Sequence, residues 1–290
     1  MPKRPTWGKA IDQHRKDDFV GRSDCVRAFS NNLSTDSPQY LVFFVTGEGG
    51  VGKSTLLKQF ATVPADLELD AIIITCDDSH PSPVRSMAHI ARVLAQHGIR
   101  SEKFDERLKA YRALQKEIES DAKAPRGALN LVLRGMTDFA IKSARRAPGI
   151  GVFADYVDER EAGEALTLGV NYLIDRYGNR DEIDLIRQPE SILTPLFISL
   201  LETACDTRKV VVMFDVFEQT RDSLEPWLLH LLNMGYGDID QRASFVISGR
   251  DKPFQDWTVL GSAAYRIHLE PFTAEETGQY LAKRDITIEL

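Results

Sequence analysis

The stretch FFVTGEGGVGKSTLLKQF, residues 43–60, constrains the fold more than any other part of this chain. It joins a continuous apolar run to a glycine-rich turn, which is followed by a lysine, two hydroxyl residues and an apolar helical pattern. A continuous apolar run is typical of a strand that is buried on both faces. Because a helix follows that strand after a tight turn, the stretch indicates an α/β protein with crossover helices.

The turn fits the pattern G-x-x-x-x-G-K-[ST] without departure. Glycines reach positive φ and allow backbone N–H groups to converge on an anion, and the N-terminus of the next helix adds partial positive charge. We therefore expect the turn to bind nucleotide phosphates, with Lys53 at the β- and γ-phosphates and the Ser54 hydroxyl on Mg²⁺. The residues predicted to contact nucleotide here are Gly47, Glu48, Gly49, Gly50, Val51, Gly52, Lys53, Ser54 and Thr55.

Acidic and basic residues at the ends of two other apolar runs are the expected partners of this turn. VVVMFD ends in Asp215, which should hold Mg²⁺ through water. Glu218 follows and either activates the attacking water or pairs with a surface arginine such as Arg221. SFVISG is followed by Arg250, which either senses the γ-phosphate by a charge-assisted hydrogen bond or pairs with Asp251 or solvent.

Apolar runs alternate with amphipathic segments along the chain. Strands are predicted at 40–46, 69–78, 209–215, 243–249 and 263–269. Helices are predicted at 19–33, 84–98, 104–120, 191–205 and 222–235, and a capping box at Thr273–Glu276 opens a further helix. Residues 125–178 are predicted to be helical with a loop near Pro148–Gly151. The alternation predicts a mainly parallel sheet with helices on both faces.

Composition restricts the classes of partner. The net charge of −7 does not favour nucleic acid or an anionic membrane, since both need concentrated positive charge. The chain has no apolar run near the roughly 20 residues of a membrane span, and its N-terminus lacks the apolar core of a secretory signal. The expected location is the cytoplasm. Three widely spaced cysteines do not suggest zinc or a disulfide framework.

Taken together, these motifs resemble those of P-loop NTPases of the signal-transduction ATPase group (STAND), which are relatives of the AAA+ ATPases. The motifs that carry the resemblance are FVGR (19–22), GEGGVGKST as Walker A, VVMFDVFEQT as Walker B, and VISGR followed by HLEPFTAEETGQYL. The resemblance covers roughly residues 19–60 and 190–283. One departure is Val216, which stands where an acidic residue often follows the Walker B aspartate.

The resemblance implies a three-layer αβα P-loop fold with a five-stranded sheet in the order 5-1-4-3-2. It also implies that Phe19, Val20, Gly21 and Arg22 lie against the adenine, although by itself FVGR could be an ordinary turn. The domain boundaries that follow are a flexible segment 1–18, a nucleotide-binding domain 19–269 with a helical insert at about 100–185, and the start of a helical lid at 270–290.

Relatives of this kind continue into a complete lid, a winged helix and usually a repeat-built sensor. We expect such modules to lie outside this chain, which would make it a fragment; a genuinely short protein is the alternative. The expected ligands are ATP, ADP and Mg²⁺.

Several functions are compatible with these motifs. The first is a slowly hydrolysing regulatory switch, with a nucleotide-dependent homo-oligomer as a possible assembly. The second is an AAA+ motor or loader, which would need an arginine finger from a neighbour; Arg145, Arg146 and Arg242 are candidates. A small-molecule kinase is a weaker alternative. A GTPase is disfavoured because the Asn-Lys-x-Asp guanine signature does not occur.

Overall fold

The computed structural model describes Trp7 and residues 19–122, 124–125, 159–250, 260–284 and 286. The chain divides into two compact units. One consists of Met1–Ile99 together with Leu200–Leu290, and the other is Arg100–Ser199. The flexible segment predicted at 1–18 lies outside the described residues except for Trp7, and so do Arg145 and Arg146.

A five-stranded parallel sheet forms the centre of the first unit. Its strands are β1 Val42–Gly47, β2 Ala71–Cys76, β3 Lys209–Phe214, β4 Ala243–Gly249 and β5 Ala264–Leu269. They lie in the order β2-β3-β4-β1-β5, and every neighbouring pair is parallel. This order is 5-1-4-3-2 read from the other edge, so the predicted P-loop fold is confirmed.

The helices are, in chain order, α1 Ser23–Ser34, α2 Lys53–Asp66, α3 Pro83–Gln96, α4 Glu102–Ser120, α5 Glu159–Tyr177, α6 Arg180–Arg187, α7 Pro189–Cys205, α8 Phe217–Leu232 and α9 Ala274–Lys283. Helix α4 begins where Ser101 Oγ accepts a hydrogen bond from the Phe104 N–H at 3.3 Å. Among the described residues, none of the helices combines the length and the apolar character that a bilayer span needs.

Helices α1 and α2 cover one face of the sheet. Phe29 of α1 stacks on Phe60 of α2 with ring centroids 4.3 Å apart, and it meets Phe43 of β1 edge-on at 5.3 Å. The buried cluster around these rings includes Val45, Val211, Met213 and Val246 from three neighbouring strands. This packing fixes α2 over the sheet, and its first turn therefore sits at the end of β1.

The other face of the sheet is also buried, because helix α3 packs on β2 and helix α8 packs on β4. The alternate strand residues on that face, including Phe44, Val212 and Phe245, are almost fully shielded from solvent. Burial on both faces explains why these strands read as continuous apolar runs rather than as alternating patterns.

The second unit is helical in its described part. Helix α6 packs on α4 and α5. Helices α4 and α5 are joined by a 2.8 Å ion pair between Arg176 Nη2 and Glu117 Oε1, and Tyr172 Oη donates a hydrogen bond to an Asp121 carboxylate oxygen at 2.6 Å. The helical insert predicted at about 100–185 includes most of α6, although no pattern marked this helix separately. Asn179 caps this helix by accepting a hydrogen bond from the Asp181 N–H at 3.0 Å.

Candidate functional site

The residues predicted to handle phosphate lie at one edge of the sheet. Gly47 ends β1, Asp215 directly follows β3, and Arg250 directly follows β4. Strands β3, β4 and β1 are consecutive neighbours and run parallel. Their carboxyl ends therefore open onto a common site, which is the edge where open α/β sheets bind ligands.

The glycine-rich turn takes a backbone path that side-chain-bearing residues rarely adopt. Gly47, Gly50 and Gly52 have φ values of 149°, 86° and 96°. A Cβ added at Gly47 would collide with the carbonyl oxygen of Leu269, whereas no atom lies within 4 Å of a Cβ added at Gly50 or Gly52. No described side chain caps the N-terminus of α2, so the first N–H groups of this helix are available to a ligand at the turn. This arrangement fits a polyphosphate.

Lys53 folds back over this turn. Its Nζ donates hydrogen bonds to the carbonyl oxygens of Gly47 at 2.6 Å and Glu48 at 2.8 Å. The ammonium group is thereby held at the loop, where phosphate oxygens could replace the two carbonyls as acceptors.

The joint after β3 is strained. The Asp215 N–H donates to the Cys76 carbonyl at 2.8 Å, and Asp215 Oδ1 accepts from the Val216 N–H at 2.9 Å. Val216 has φ 54° and ψ 38°, a left-handed conformation that costs a β-branched residue about 1–3 kcal/mol. The turn that Val216 makes starts α8 at Phe217 rather than at the predicted residue 222, and it places Glu218 in the first turn of the helix.

Glu218 and Arg250 form an ion pair. Arg250 Nε lies 3.0 Å from Glu218 Oε1, with the glutamate side chain 17% exposed and the arginine side chain 63% exposed. The second carboxylate oxygen, Glu218 Oε2, is buried and has no hydrogen-bond partner among the described residues. Arg221, which the sequence suggested as a possible partner of Glu218, instead forms an ion pair with Glu225 at 2.9 Å.

Arg250 also lies against the glycine-rich turn. A Cβ added at Gly49 would be 3.9 Å from Arg250 Cζ and Nε. The guanidinium group therefore lies close to both Glu218 and the glycine-rich turn.

The side chains expected to bind a divalent cation, Ser54 and Asp215, both offer oxygen atoms. Ser54 lies in the first turn of α2, half-buried, and Asp215 lies at the end of the nearby strand β3. Hydroxyl and carboxylate oxygens are the ligands that Mg²⁺ prefers. These residues fit Mg²⁺ bound together with nucleotide phosphates. Thr55 follows Ser54 and is exposed.

The FVGR segment is held against helix α9. Val20 is buried, and Gly21 and Arg22 both have positive φ, 68° and 61°. Arg22 Nη2 donates to the Glu270 carbonyl, and its guanidinium carbon lies 5.5 Å from the centre of the Phe272 ring. At the far end of α9, Lys283 Nζ donates to the Phe19 carbonyl at 2.9 Å.

Sequence reasoning missed two of these relationships, the Glu218–Arg250 pair and the attachment of Arg22 to the segment before α9. The partners are far apart along the chain, and no local pattern links them. Arg242, a candidate arginine finger, pairs with Asp240 of its own chain at 3.0 Å.

Comparisons with known proteins give a family match. A family model described as AAA ATPase domain matches residues 18–235. No curated protein matches the chain.

Three solved structures align with the chain at low identity. A chain of the E. coli MS115-1 HORMA:CdnC:Trip13 complex is 10% identical, with a TM-score of 0.46 over 99% of this chain and 74% of that one. Cdc6p from Pyrobaculum aerophilum is 14% identical, with a TM-score of 0.46 over 94% of this chain and 52% of that one. The Walker-type ATPase paby2304 of Pyrococcus abyssi is 13% identical, with a TM-score of 0.40 over 95% of this chain and 61% of that one. The chain thus spans about half of the Pyrobaculum protein.

Proposed function

The chain belongs to the AAA ATPase domain family, and on that premise we propose that it is a regulatory switch that binds ATP and ADP and hydrolyses ATP slowly. The family match supports a nucleotide-dependent ATPase. The finer proposal, a switch of the STAND kind, rests on the arrangement of Arg250.

The observation that carries this proposal is the proximity of Arg250 to both Glu218 and Gly49. A guanidinium group binds carboxylate and phosphate oxygens with similar geometry. A γ-phosphate at the glycine-rich turn would compete with Glu218 for Arg250, whereas ADP lacks the group that competes. ATP and ADP would thus leave the Glu218–Arg250 pair in different states.

The other residues take roles consistent with their positions. Lys53 would exchange its two carbonyl acceptors for phosphate oxygens, and Ser54 and Asp215 would hold Mg²⁺. When bound, Mg²⁺ neutralises charge on the phosphates. Glu218 would accept a proton from the attacking water once Arg250 has moved to phosphate, so hydrolysis would be slow wherever the ion pair persists.

A switch also needs an element that responds to nucleotide. A ligand shifts a conformational equilibrium only when it contacts the two states unequally. Because Arg22 and Phe19 are bonded to the segment Glu270–Lys283, a base bound at FVGR would act directly on α9. Modules beyond α9 and a nucleotide-dependent homo-oligomer are the partners we propose for this output.

Three measurements on the purified chain test the proposal. Calorimetry with ATP and with ADP in the presence of Mg²⁺ should detect binding of both. Mass spectrometry of the denatured protein should detect retained ADP. Steady-state hydrolysis should be far below about one turnover per second at any protein concentration.

Other outcomes would separate the alternatives. Turnover of about one per second or more that rises with protein concentration would indicate an oligomeric motor. Hydrolysis that rises sharply with an added acceptor would indicate a kinase. An absence of heat with both adenine nucleotides, for protein that melts cooperatively, would contradict nucleotide binding altogether.

A further inference from the structure

Strand β4 carries a buried hydroxyl group that nothing in the described part of the chain satisfies. Ser248 is 0% exposed, and its Oγ has no hydrogen-bond partner among the described residues. Buried polar groups are nearly always hydrogen-bonded to protein or to an ordered water, so each exception calls for an explanation.

The sheet register indicates where this hydroxyl points. Ser248 pairs with Val45 of β1, and two residues earlier Val246 pairs with Met213 of β3. Val45, Val246 and Met213 all belong to the core cluster beneath α2. Because side chains alternate along a strand, Ser248 faces the same side as Val246.

The same register brings Ser248 beside Asp215. Strands β3 and β4 end their pairing at Phe214 and Ile247, so the next step places Asp215 opposite Ser248. Asp215 lies two residues after Met213 and so shares its face. One of its oxygens, Oδ1, accepts from the Val216 N–H, which leaves the second oxygen for another partner.

We propose that Ser248 is a positioning residue for Mg²⁺: its Oγ–H donates a hydrogen bond to a water molecule that also bonds Asp215, and this water orients the Asp215 carboxylate towards the cation. This inference rests on the proposed binding of nucleotide with Mg²⁺. It gives the orphaned hydroxyl a partner and gives Asp215 a second fixed contact. Supporting groups of this kind typically change metal affinity by about 10–100-fold.

The decisive experiment separates Mg²⁺ from nucleotide. Binding of a fluorescent methylanthraniloyl-ADP is measured first in EDTA and then at increasing Mg²⁺ concentrations, for the parent chain and for Ser248→Ala. We expect the same nucleotide affinity in EDTA, while the Mg²⁺ concentration for half-maximal enhancement rises about tenfold in Ser248→Ala.

Two further variants provide controls. Ser248→Thr keeps the hydroxyl and should restore the parent Mg²⁺ dependence. Ser244→Ala removes a buried hydroxyl from the same side of the same strand at its other end, and it should behave as the parent. The melting temperature of nucleotide-free Ser248→Ala should not fall, because Oγ makes no direct hydrogen bond to any described protein group.

Each other outcome counts against the inference. An unshifted Mg²⁺ dependence, or an equal loss of affinity in EDTA, would mean that Ser248 does not act on Mg²⁺. A variant that unfolds would mean that Oγ has a protein partner after all. If the parent chain binds nucleotide with Mg²⁺ but Ser248→Ala matches it, only this inference fails; if the parent binds no nucleotide, the proposed function fails as well.

Discussion

Arg250 Nε lies 3.0 Å from Glu218 Oε1, so the arginine after β4 is bonded to the glutamate in the first turn of α8. The ion pair occupies Oε1, one of the two carboxylate oxygens of Glu218. The same guanidinium lies beside Gly49 of the phosphate-binding turn. In the proposed function, the pair would therefore link phosphate binding at this turn to the availability of Glu218 as a base.

Replacing Arg250 tests whether it distinguishes ATP from ADP. We expect Arg250→Ala to weaken ATP binding by about tenfold, since a charge-assisted hydrogen bond to the γ-phosphate is lost. ADP binding should change far less, because ADP lacks that phosphate. Calorimetry with both nucleotides measures the difference.

A matched control for Arg250 is Arg208→Ala. Arg208 pairs with Asp70 at the amino ends of strands β3 and β2, away from the carboxyl ends where Arg250 lies. The substitution should leave the ratio of ATP to ADP affinity at the parent value. Equal losses of ATP and ADP affinity in Arg250→Ala would contradict a role in sensing the γ-phosphate.

Replacing Glu218 tests the predicted base. Glu218→Gln keeps the shape of the side chain but removes its charge, so we expect ATP hydrolysis to fall by about 10²–10⁴-fold while ATP stays bound. Single-turnover hydrolysis of radiolabelled ATP provides the rate. Asp222→Asn, an exposed change on the same helix, should hydrolyse at the parent rate. Unchanged hydrolysis in Glu218→Gln would remove Glu218 from its catalytic role.

The sequence predicted the sheet better than it predicted the site. Runs such as VVVMF and FVI are apolar throughout because both faces of the sheet are covered, and this made the strands and their parallel arrangement predictable, while the strand order followed from the family resemblance. The start of α8 was not predictable from pattern, because it depends on Val216 adopting a conformation that β-branched residues avoid. The Glu218–Arg250 pair also depends on this turn, because Val216 places Glu218 at the start of α8, and no pattern in the sequence indicates that position.

Replacing Lys53 should abolish nucleotide binding without affecting folding. Within the described part of the chain, the hydrogen bonds of its ammonium group go to carbonyl oxygens of its own turn, so Lys53→Ala should fold with little change in melting temperature. Nucleotide binding should fall below detection, since the cation expected at the β- and γ-phosphates is removed. Lys58→Ala, an exposed lysine one turn along the same helix, should bind as the parent does. Retained ATP binding by Lys53→Ala would contradict the assigned phosphate site.

The FVGR segment makes a prediction about stability. Gly21 has φ 68°, and a Cβ there would collide with the Glu276 carboxylate, so Gly21→Ala should lower the free energy of unfolding by about 1–2 kcal/mol. Gly278→Ala lies within α9 with open space around it and should raise that energy by up to about 1 kcal/mol. Urea unfolding of both variants measures the contrast. If Gly21→Ala and Gly278→Ala changed the free energy of unfolding by the same amount in the same direction, FVGR would not be held against α9 as described.

The stability of the chain should fall on mild acidification because of His89. Its Nε2 contacts the Thr75 carbonyl oxygen at 3.0 Å, and its Nδ1 accepts from Arg92 at 2.8 Å, so both ring nitrogens are engaged in the neutral form. Burial first, and then the nearby charges of His80 and Arg92, hold the pKa of His89 below its ordinary value of 6.5. His89 is therefore protonated less readily in the native state than in the unfolded chain.

The sign of this effect follows from linkage between proton binding and folding. The contribution of neutral His89 is fully present above pH 6.5 and is lost as the pH falls from there towards the lowered pKa of the folded state. His89→Gln can make both hydrogen bonds without titrating, so it should match the parent at pH 8 and lose less stability than the parent between pH 7.5 and 5.5. Urea unfolding at these pH values measures the difference, and parallel pH profiles would rule out His89 as the titrating group.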